Sequence, residues 1–313
     1  MLTIQDTHNA LATKIAPTSE DSLDLKGVRI ALIQHHHSSD IRAHYLLAPI
    51  VDLWREWGAE IVTISGPRWP HDVGLAIVHV DLSRVPDRYV PKRPKGLTLV
   101  NGQIRDIRKS VCLTDLLKPD SDWTGPVIVK SDENHCGIPE RLAFERGWTP
   151  EAIAYRVRRK WTALRGRHVG FDGKESYRVL PSLADAPAWA FFPGSVVQPF
   201  RPEIRDGRYV LREYYFFGDR HYLSAEVGDT QILTSGEQIE GGATAVPFAL
   251  LALRARLKMD YGKIDYAMVD GEAVAFDVNK TPSTRVPITA GGRALAAALA
   301  PGIARYLDTP QSA

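Results

Sequence analysis

The sequence predicts two unlike units in one chain: a small doubly wound α/β domain, then a larger α+β region built on antiparallel hairpins. Three observations carry that expectation. The 313 residues exceed what one core usually fills, about 250–300 residues. Short apolar, β-branched runs alternate with a helical pattern over residues 25–105, as in βαβ units. Further on, the dipeptides Gly218-Asp219 and Asp270-Gly271 sit between strand-like runs, which is hairpin chemistry.

Residues 1–24 read as a polar, flexible leader. They lack the basic patch and apolar block of a secretory signal. Residues 28–34 (VRIALIQ) are short, apolar and β-branched, as in a buried parallel strand. Residues 41–57 read as a helix, with Leu46, Leu47, Ile50, Val51, Leu53 and Trp54 at helical spacing. Gly58 ends it. Residues 59–65, 75–80 and 97–100 are three more strands. Together these make an N-terminal doubly wound domain over residues 25–105.

The second region covers residues 106–313, with a central lobe at about 126–200 and a C-terminal lobe at 201–313. Residues 101–126 read as a polar, helical bridge. Residues 126–130 (PVIVK) are a strand ending on a lysine, and residues 131–140 (SDENHCGIPE) a polar loop. Residues 150–166 are basic and helical. Residues 195–198 (SVVQ) form a strand closed by PFRP. Residues 209–217 and 220–226 pair across Gly218-Asp219. A helix at 247–257 precedes a last hairpin, 263–269 with 273–278.

Composition excludes several classes. The formal net charge is +2, and no dense basic stripe supports nucleic-acid binding. Two cysteines, Cys112 and Cys136, supply neither a disulfide framework nor a zinc pattern, which fits a reducing, cytoplasmic compartment. No apolar run reaches the roughly 20 residues that span a bilayer. The sequence leaves a homodimer open.

Chemistry concentrates in residues 262–282 (GKIDYAMVDGEAVAFDVNKTP). Asp277 and Asn279 are two apart on one strand and so share a face. The hairpin brings Asp265 across from them. Few, hard oxygen donors suit Mg²⁺, which keeps waters and completes its shell with substrate phosphates. Asp265 and Asp277 also stand among apolar neighbours, where unpaired carboxylates are costly unless a cation neutralises them. By contrast, His35-His36-His37 alternate faces and cannot converge on one ion. They read as a loop at the carboxyl edge of the first domain, where ligands often sit. Cys136 has no activating partner beyond His135 and reads as non-catalytic.

The order of these features resembles the ATP-grasp superfamily of carboxylate–amine ligases. It runs from a strand-ending lysine and polar loop to a hinge strand, an arginine-bearing strand and then D-hairpin-D-x-N-x-x-P. The resemblance covers about residues 100–290, and the preceding domain is similar to the family's N-terminal (pre-ATP-grasp) domain. It implies that Lys130 reaches the α- and β-phosphates and that Lys109 is an earlier phosphate-contacting lysine. It implies a cover over the phosphates at residues 131–139, here with Gly137 as its one glycine. Gln198, Pro199, Phe200 and Arg201 would be the adenine hinge, with the Arg201 N–H facing N1 and Gln198 where the family usually has Glu. Glu203 would hold the ribose, and Arg212 would brace the γ-phosphate and the acyl phosphate. Asp265, Asp277 and Asn279 would be the metal ligands, with Asp277 replacing the more frequent Glu and the number of Mg²⁺ ions left open. Arg285 would meet a substrate carboxylate or phosphate.

The implied function is amide or peptide bond formation between a small-molecule or peptide carboxylate and an amine, using ATP and Mg²⁺ through an acyl phosphate. A kinase on the same scaffold and a catalytically inactive nucleotide-binding protein are the alternatives.

Overall fold

The computed structural model describes residues 22–36, 45–66, 72–90, 96–145, 147–165, 170–233, 236–242, 244–284 and 288–307. Residues 1–21 of the expected leader, together with His37 and Arg285, lie outside the described residues.

β1 (Arg29–Gln34), β2 (Glu60–Ser65), β3 (Leu75–Val78) and β4 (Thr98–Val100) form a parallel sheet in the order β2-β1-β3-β4. Helix α1 (Leu47–Glu56) buries Leu47, Ile50, Val51 and Trp54 against Ile30, Leu32, Leu75 and Ile77. The opposite face packs Ala31, Ile33, Ala76 and Val78 against Tyr89 and Phe144. Apolar residues on both faces explain why β1 and β3 read as continuous apolar runs.

The bridge expected as helical is mostly irregular. Its one described α-helix is α2 (Lys109–Cys112). Its backbone instead makes tertiary hydrogen bonds: Val85 N–H to Arg105 O at 2.8 Å, Ile107 N–H to Ser83 O at 2.8 Å, and Leu117 N–H to Val197 O at 2.8 Å. Buried Ile104 and Ile107 fix it from below.

The central lobe is an antiparallel sheet, β6-β5-β7, made of β5 (Val127–Ser131), β6 (Arg178–Leu180) and β7 (Ser195–Pro199). Residues 131–140 are more ordered than expected. A 3-10 turn at Asn134–Gly137 leads straight into α3 (Ile138–Phe144), and α4 (Pro150–Leu164) follows. His135, Cys136 and Gly137 all have positive φ (46°, 59° and 71°). The first two take a left-handed conformation that disfavours any side chain with a Cβ.

The C-terminal lobe is a six-stranded antiparallel sheet. It comprises β8 (Glu203–Arg205), β9 (Arg208–Phe217), β10 (Arg220–Gly228), β11 (Glu237–Gly242), β12 (Tyr261–Val269) and β13 (Glu272–Asn279), in the order β11-β10-β9-β12-β13 with β8 on β9. Helix α5 (Phe248–Leu257) covers one face, where Tyr214, Phe216, Ile264, Tyr266 and Val278 are buried. Helices α6 (Ala290–Leu299) and α7 (Ala304–Leu307) close the chain.

The two lobes of the chain share a core. Trp54 is fully buried against Phe217, and its Nε1 donates to Ala300 O at 2.9 Å. Asn101 sits at the end of β4, where its Oδ1 accepts from Asp260 N–H and Tyr261 N–H at 2.9 and 3.0 Å. The start of β12 is thereby fixed to the parallel sheet. β6, β8, β11 and α6 are elements the sequence did not announce. The three strands are short or glycine-bearing, and α6 begins Ala-Gly-Gly, a poor helical start.

Candidate active site

β12 and β13 pair antiparallel, and Asp265 lies directly opposite Asp277. The register then slips: Tyr266 pairs with Ala275, so Phe276 is an extra residue on β13. Such a bulge bends the strand and re-aims the neighbouring side chains. Here Phe276 and Asp277 both line a narrow cleft between the central sheet and the C-terminal sheet.

Two lysines enter the same cleft. Lys130 is the penultimate residue of β5 and is 4% exposed. Its Nζ donates to Gln198 Oε1 at 2.5 Å and to Phe276 O at 2.7 Å. Burial, reinforced by the nearby Lys109 charge, pulls its pKa down to about 7. Lys109 opens α2 and is fully buried, with Nζ 3.0 Å from Asp277 Oδ1. Asp132 positions that turn by accepting from Ser110 N–H at 2.8 Å and from Ser110 Oγ at 3.0 Å. Burial alone would raise the Asp277 carboxyl; the Lys109 and Lys130 ammoniums overcome it and hold Asp277 ionised below its usual range. Burial raises Asp265 instead, against the pull of Lys263.

The hinge lies along the same cleft, with Gln198, Pro199, Phe200, Arg201 and Pro202 in its wall. Of the two N–H groups between the prolines, that of Phe200 donates to Pro126 O at 2.9 Å. Gln198 is 2% exposed and committed at both ends. Its carbonyl serves Lys130, and its amide nitrogen donates to both oxygens of Asp115 at 2.8 and 2.9 Å. An adenine contact through the Gln198 side chain, as expected from the sequence, would have to displace these bonds.

Arg212 and Glu203 need correction. Pairing places Arg212 opposite Ala225 and Tyr266, on the face that packs away from the cleft. There it grips Glu203 through two bonds, Nε to Oε2 at 2.7 Å and Nη2 to Oε1 at 2.8 Å. Glu203 Oε2 also accepts from Met268 N–H at 2.9 Å. Neither side chain lines the cavities described here. The residue beside Arg212 takes the inward place. Glu213 faces a larger cavity of about 860 Å³ together with Lys263, and the two pair at 2.6 Å. Lys263 Nζ is also 2.9 Å from Asp265 Oδ1. Lys263 could have been found from the sequence, because it stands two residues before Asp265 and so shares its face.

Lys174 is a second residue missed at the sequence level. It opens a single 3-10 turn (Lys174–Ser176), and it lines both the narrow cleft and the large cavity, as do Leu211 and Leu233. Cys136 is buried, and its Sγ lies 3.5 Å from Tyr177 Oη. Burial raises its thiol, which leaves it inert.

Asn279 is two residues beyond Asp277 on β13 and so shares its face. It pairs with Lys263, and its Oδ1 accepts from Thr281 N–H at 2.9 Å and from Thr281 Oγ1 at 3.3 Å. Among the described residues no three His, Cys, Asp or Glu side chains gather as a metal site. The Asp265 and Asp277 carboxylates fit Mg²⁺, which takes one or two carboxylates plus phosphate oxygens. Asp265 Oδ1 is buried and makes no hydrogen bond, its Lys263 contact being a charge contact alone. A hard cation would share that buried oxygen with the Lys263 ammonium.

No family model and no curated protein matches the sequence. Solved structures do match, and proteins described as ATP-grasp are among them. The chain is similar to a D-alanine–D-alanine ligase from Bacillus anthracis, at 13% identity over 82% of this chain and 87% of that one, with a TM-score of 0.40. An ATP-grasp RimK domain protein from Sphaerobacter thermophilus is also similar, at 13% identity over 87% and 98%, with a TM-score of 0.43. A macrocyclase from Microcystis aeruginosa, bound with its precursor peptide, is 11% identical over 86% and 98%, with a TM-score of 0.40.

Proposed function

We propose that this chain is an ATP-dependent ligase of the ATP-grasp superfamily, joining a carboxylate to an amine through an acyl phosphate. The observation that carries the reading is the Asp265–Asp277 pair, set at a bulge and flanked by Lys109 and Lys130 in a cleft closed by the 199–202 hinge.

In this reading the narrow cleft takes ATP. Lys109, Lys130 and Lys174 put three ammoniums where phosphate oxygens lie. Arg201 is the one residue between Pro199 and Pro202 whose N–H the sheet does not use, and it faces adenine. Asp265 and Asp277 would hold Mg²⁺, which neutralises triphosphate charge when bound. The larger cavity takes the acid and the amine.

A substrate carboxylate oxygen attacks the γ-phosphorus, the bond to the β–γ bridging oxygen breaks, and ADP leaves. The amine nitrogen then attacks the acyl carbon. Phosphate departs with the C–O bond electrons, and the amine gives up its proton. The chain's part is positioning and charge stabilisation, so no Ser-His-Asp or Cys-His set is required. Removing a donor aimed at developing charge typically costs about 10²–10³ in rate. Lys130 is therefore placed to matter more for kcat than for the fold.

The test is phosphate release from Mg-ATP across a panel of amino acids, short peptides and small carboxylates, each with and without an amine. Release that requires both an acid and an amine supports the ligase. Release without amine, leaving a stable phosphorylated product, would replace it with a kinase. Nucleotide binding with no release across the panel would leave a binding protein.

A further inference from the structure

We propose that the carboxyl edge of the parallel sheet, where β1 and β3 part company, is a separate subsite that binds a neutral amide: a peptide group or carboxamide of the substrate. The strand order β2-β1-β3-β4 reverses direction between β1 and β3. Open α/β sheets bind ligands at that switch point, outside the carboxyl ends of the strands.

β1 ends on Gln34, and His79 is the first residue after β3. Ile33 pairs with Val78, and His79 N–H donates to Ile33 O at 2.8 Å, so the two chain ends leave the sheet side by side. Alternation carries Gln34 on from Ile30 and Leu32, and His79 on from Leu75 and Ile77, which is the face under α1. Both side chains are buried, at 4% and 2% exposure. Among the described residues, Gln34 Nε2 and both ring nitrogens of His79 have no hydrogen-bond partner. Buried polar atoms are nearly always satisfied, and three orphans in one corner need an explanation.

Neighbouring side chains define the chemistry. The Tyr45 ring stands edge-on to His79 at 4.7 Å, and its hydroxyl donates to Asp81 Oδ2 at 2.8 Å. Thr281 Oγ1 donates to Asp81 Oδ1 at 2.7 Å. Burial keeps the imidazole neutral, so it offers one N–H and one bare nitrogen. An amide is its complement: the C=O accepts from Gln34 Nε2 and the imidazole N–H, while the amide N–H donates to the bare nitrogen. Asp81 disfavours a carboxylate here, while the buried Lys280 ammonium, which also acts on His79, offsets part of that charge. A metal lacks its ligands, since no three suitable side chains meet among the described residues. The corner also adjoins the proposed substrate cavity. Tyr45 bridges to Ser283, which lines that cavity. Under the ligase reading, the subsite would hold the substrate one amide away from the reacting group.

The test needs no ATP, so it can fail while the ligase reading stands, and the reverse. The full chain with ¹⁵N-labelled histidine is titrated with N-acetylglycine N-methylamide, sodium acetate or methylammonium chloride, the His79 ring signals being assigned by loss in His79→Phe. The expected result is a saturable shift with the amide alone. The Gln34→Leu variant should bind the amide at least about fivefold more weakly, a loss of roughly 1 kcal/mol. No shift with the amide would overturn the proposal, as would equal shifts with all three probes. So would unchanged amide affinity in Gln34→Leu. A Gln34→Leu variant that is thermally more stable, from a parent with no amide affinity, would mean that an ordered water alone fills the corner.

Discussion

Lys130 donates to the side-chain carbonyl of Gln198 at 2.5 Å, so the glutamine amide fixes where the lysine charge sits. What keeps that amide the right way round is chiefly Asp115, whose two oxygens accept from the amide nitrogen at 2.8 and 2.9 Å, with Ala275 O accepting at 3.1 Å. Asp115 also lies 3.5 Å from the Arg201 guanidinium. Asp115→Ala should therefore weaken binding of a non-hydrolysable ATP analogue by about three- to tenfold, or about 0.7–1.4 kcal/mol. Calorimetric titration reads this directly, and unchanged affinity would break the Asp115–Gln198–Lys130 link.

Lys109 is fully buried and its partner Asp277 is 20% exposed, so removing the carboxylate strands the lysine charge. Asp277→Asn should lower stability by about 3 kcal/mol and cut phosphate release by at least about 10²-fold. Adding Lys109→Met should restore much of the stability but none of the turnover. Denaturant melts and a phosphate assay on the three variants separate the structural role from the catalytic one. Full turnover in Asp277→Asn would remove the carboxylate from the mechanism.

Arg212 points away from the cleft, so it should matter to the fold rather than the reaction. Arg212→Met strands the Glu203 carboxylate, which is 11% exposed, and should cost about 2 kcal/mol. Per folded molecule, phosphate release should stay within about threefold of the parent, below the 10²-fold scale of a charge-stabilising group. A large loss of kcat in a well-folded variant would return Arg212 to the site.

Gly137 and Gly207 make a matched comparison. Both have positive φ (71° and 77°), but a Cβ at Gly137 would meet Glu133 Oε2 at 2.2 Å, whereas at Gly207 nothing lies within 4 Å. Gly207→Ala should cost about 1 kcal/mol, the left-handed penalty alone. Gly137→Ala should cost more, because Glu133 must also move. Equal losses in denaturant titration would show that the loop yields freely.

His79 gives a pH signature. Burial lowers its pKa from the ordinary 6.5 to about 4, so between those values the unfolded chain binds the extra proton. The contribution is fully present above pH 6.5 and is lost as pH falls toward 4, amounting to roughly 3 kcal/mol. Measured against pH, the stability of His79→Phe should fall less steeply than the parent's over that window. Parallel curves would mean that the ring is already charged or solvated in the fold.

Much of the fold was legible. The strands at 28–34, 59–65, 195–198 and 209–217 were marked by apolar runs, and the hairpin turns by their own chemistry. Lys130, Asp265 and Asp277 could be picked out because charged side chains at strand ends or within apolar runs are unusual. Lys174 and Asp115 could not, because a single 3-10 turn and an irregular segment offer no period to read. Residues 131–140 read as a loop, yet residues 138–144 are helical, with Pro139 tolerated in the first turn.

Composition and periodicity by themselves determined many of the strand segments, where the chain turns, and that Asp265 and Asp277 stand on the two strands of the last hairpin. They did not determine which way β9 faces. Tyr214, Tyr215, Phe216 and Phe217 are all buried, and an unbroken apolar run carries no phase. Only pairing with β10 and β12 turned Glu213 inward and Arg212 outward, and only the one-residue slip at Phe276 set Asp277 into the cleft. The physical reason is the pleat: successive side chains alternate sides, so an offset of one residue moves a charge to the opposite face.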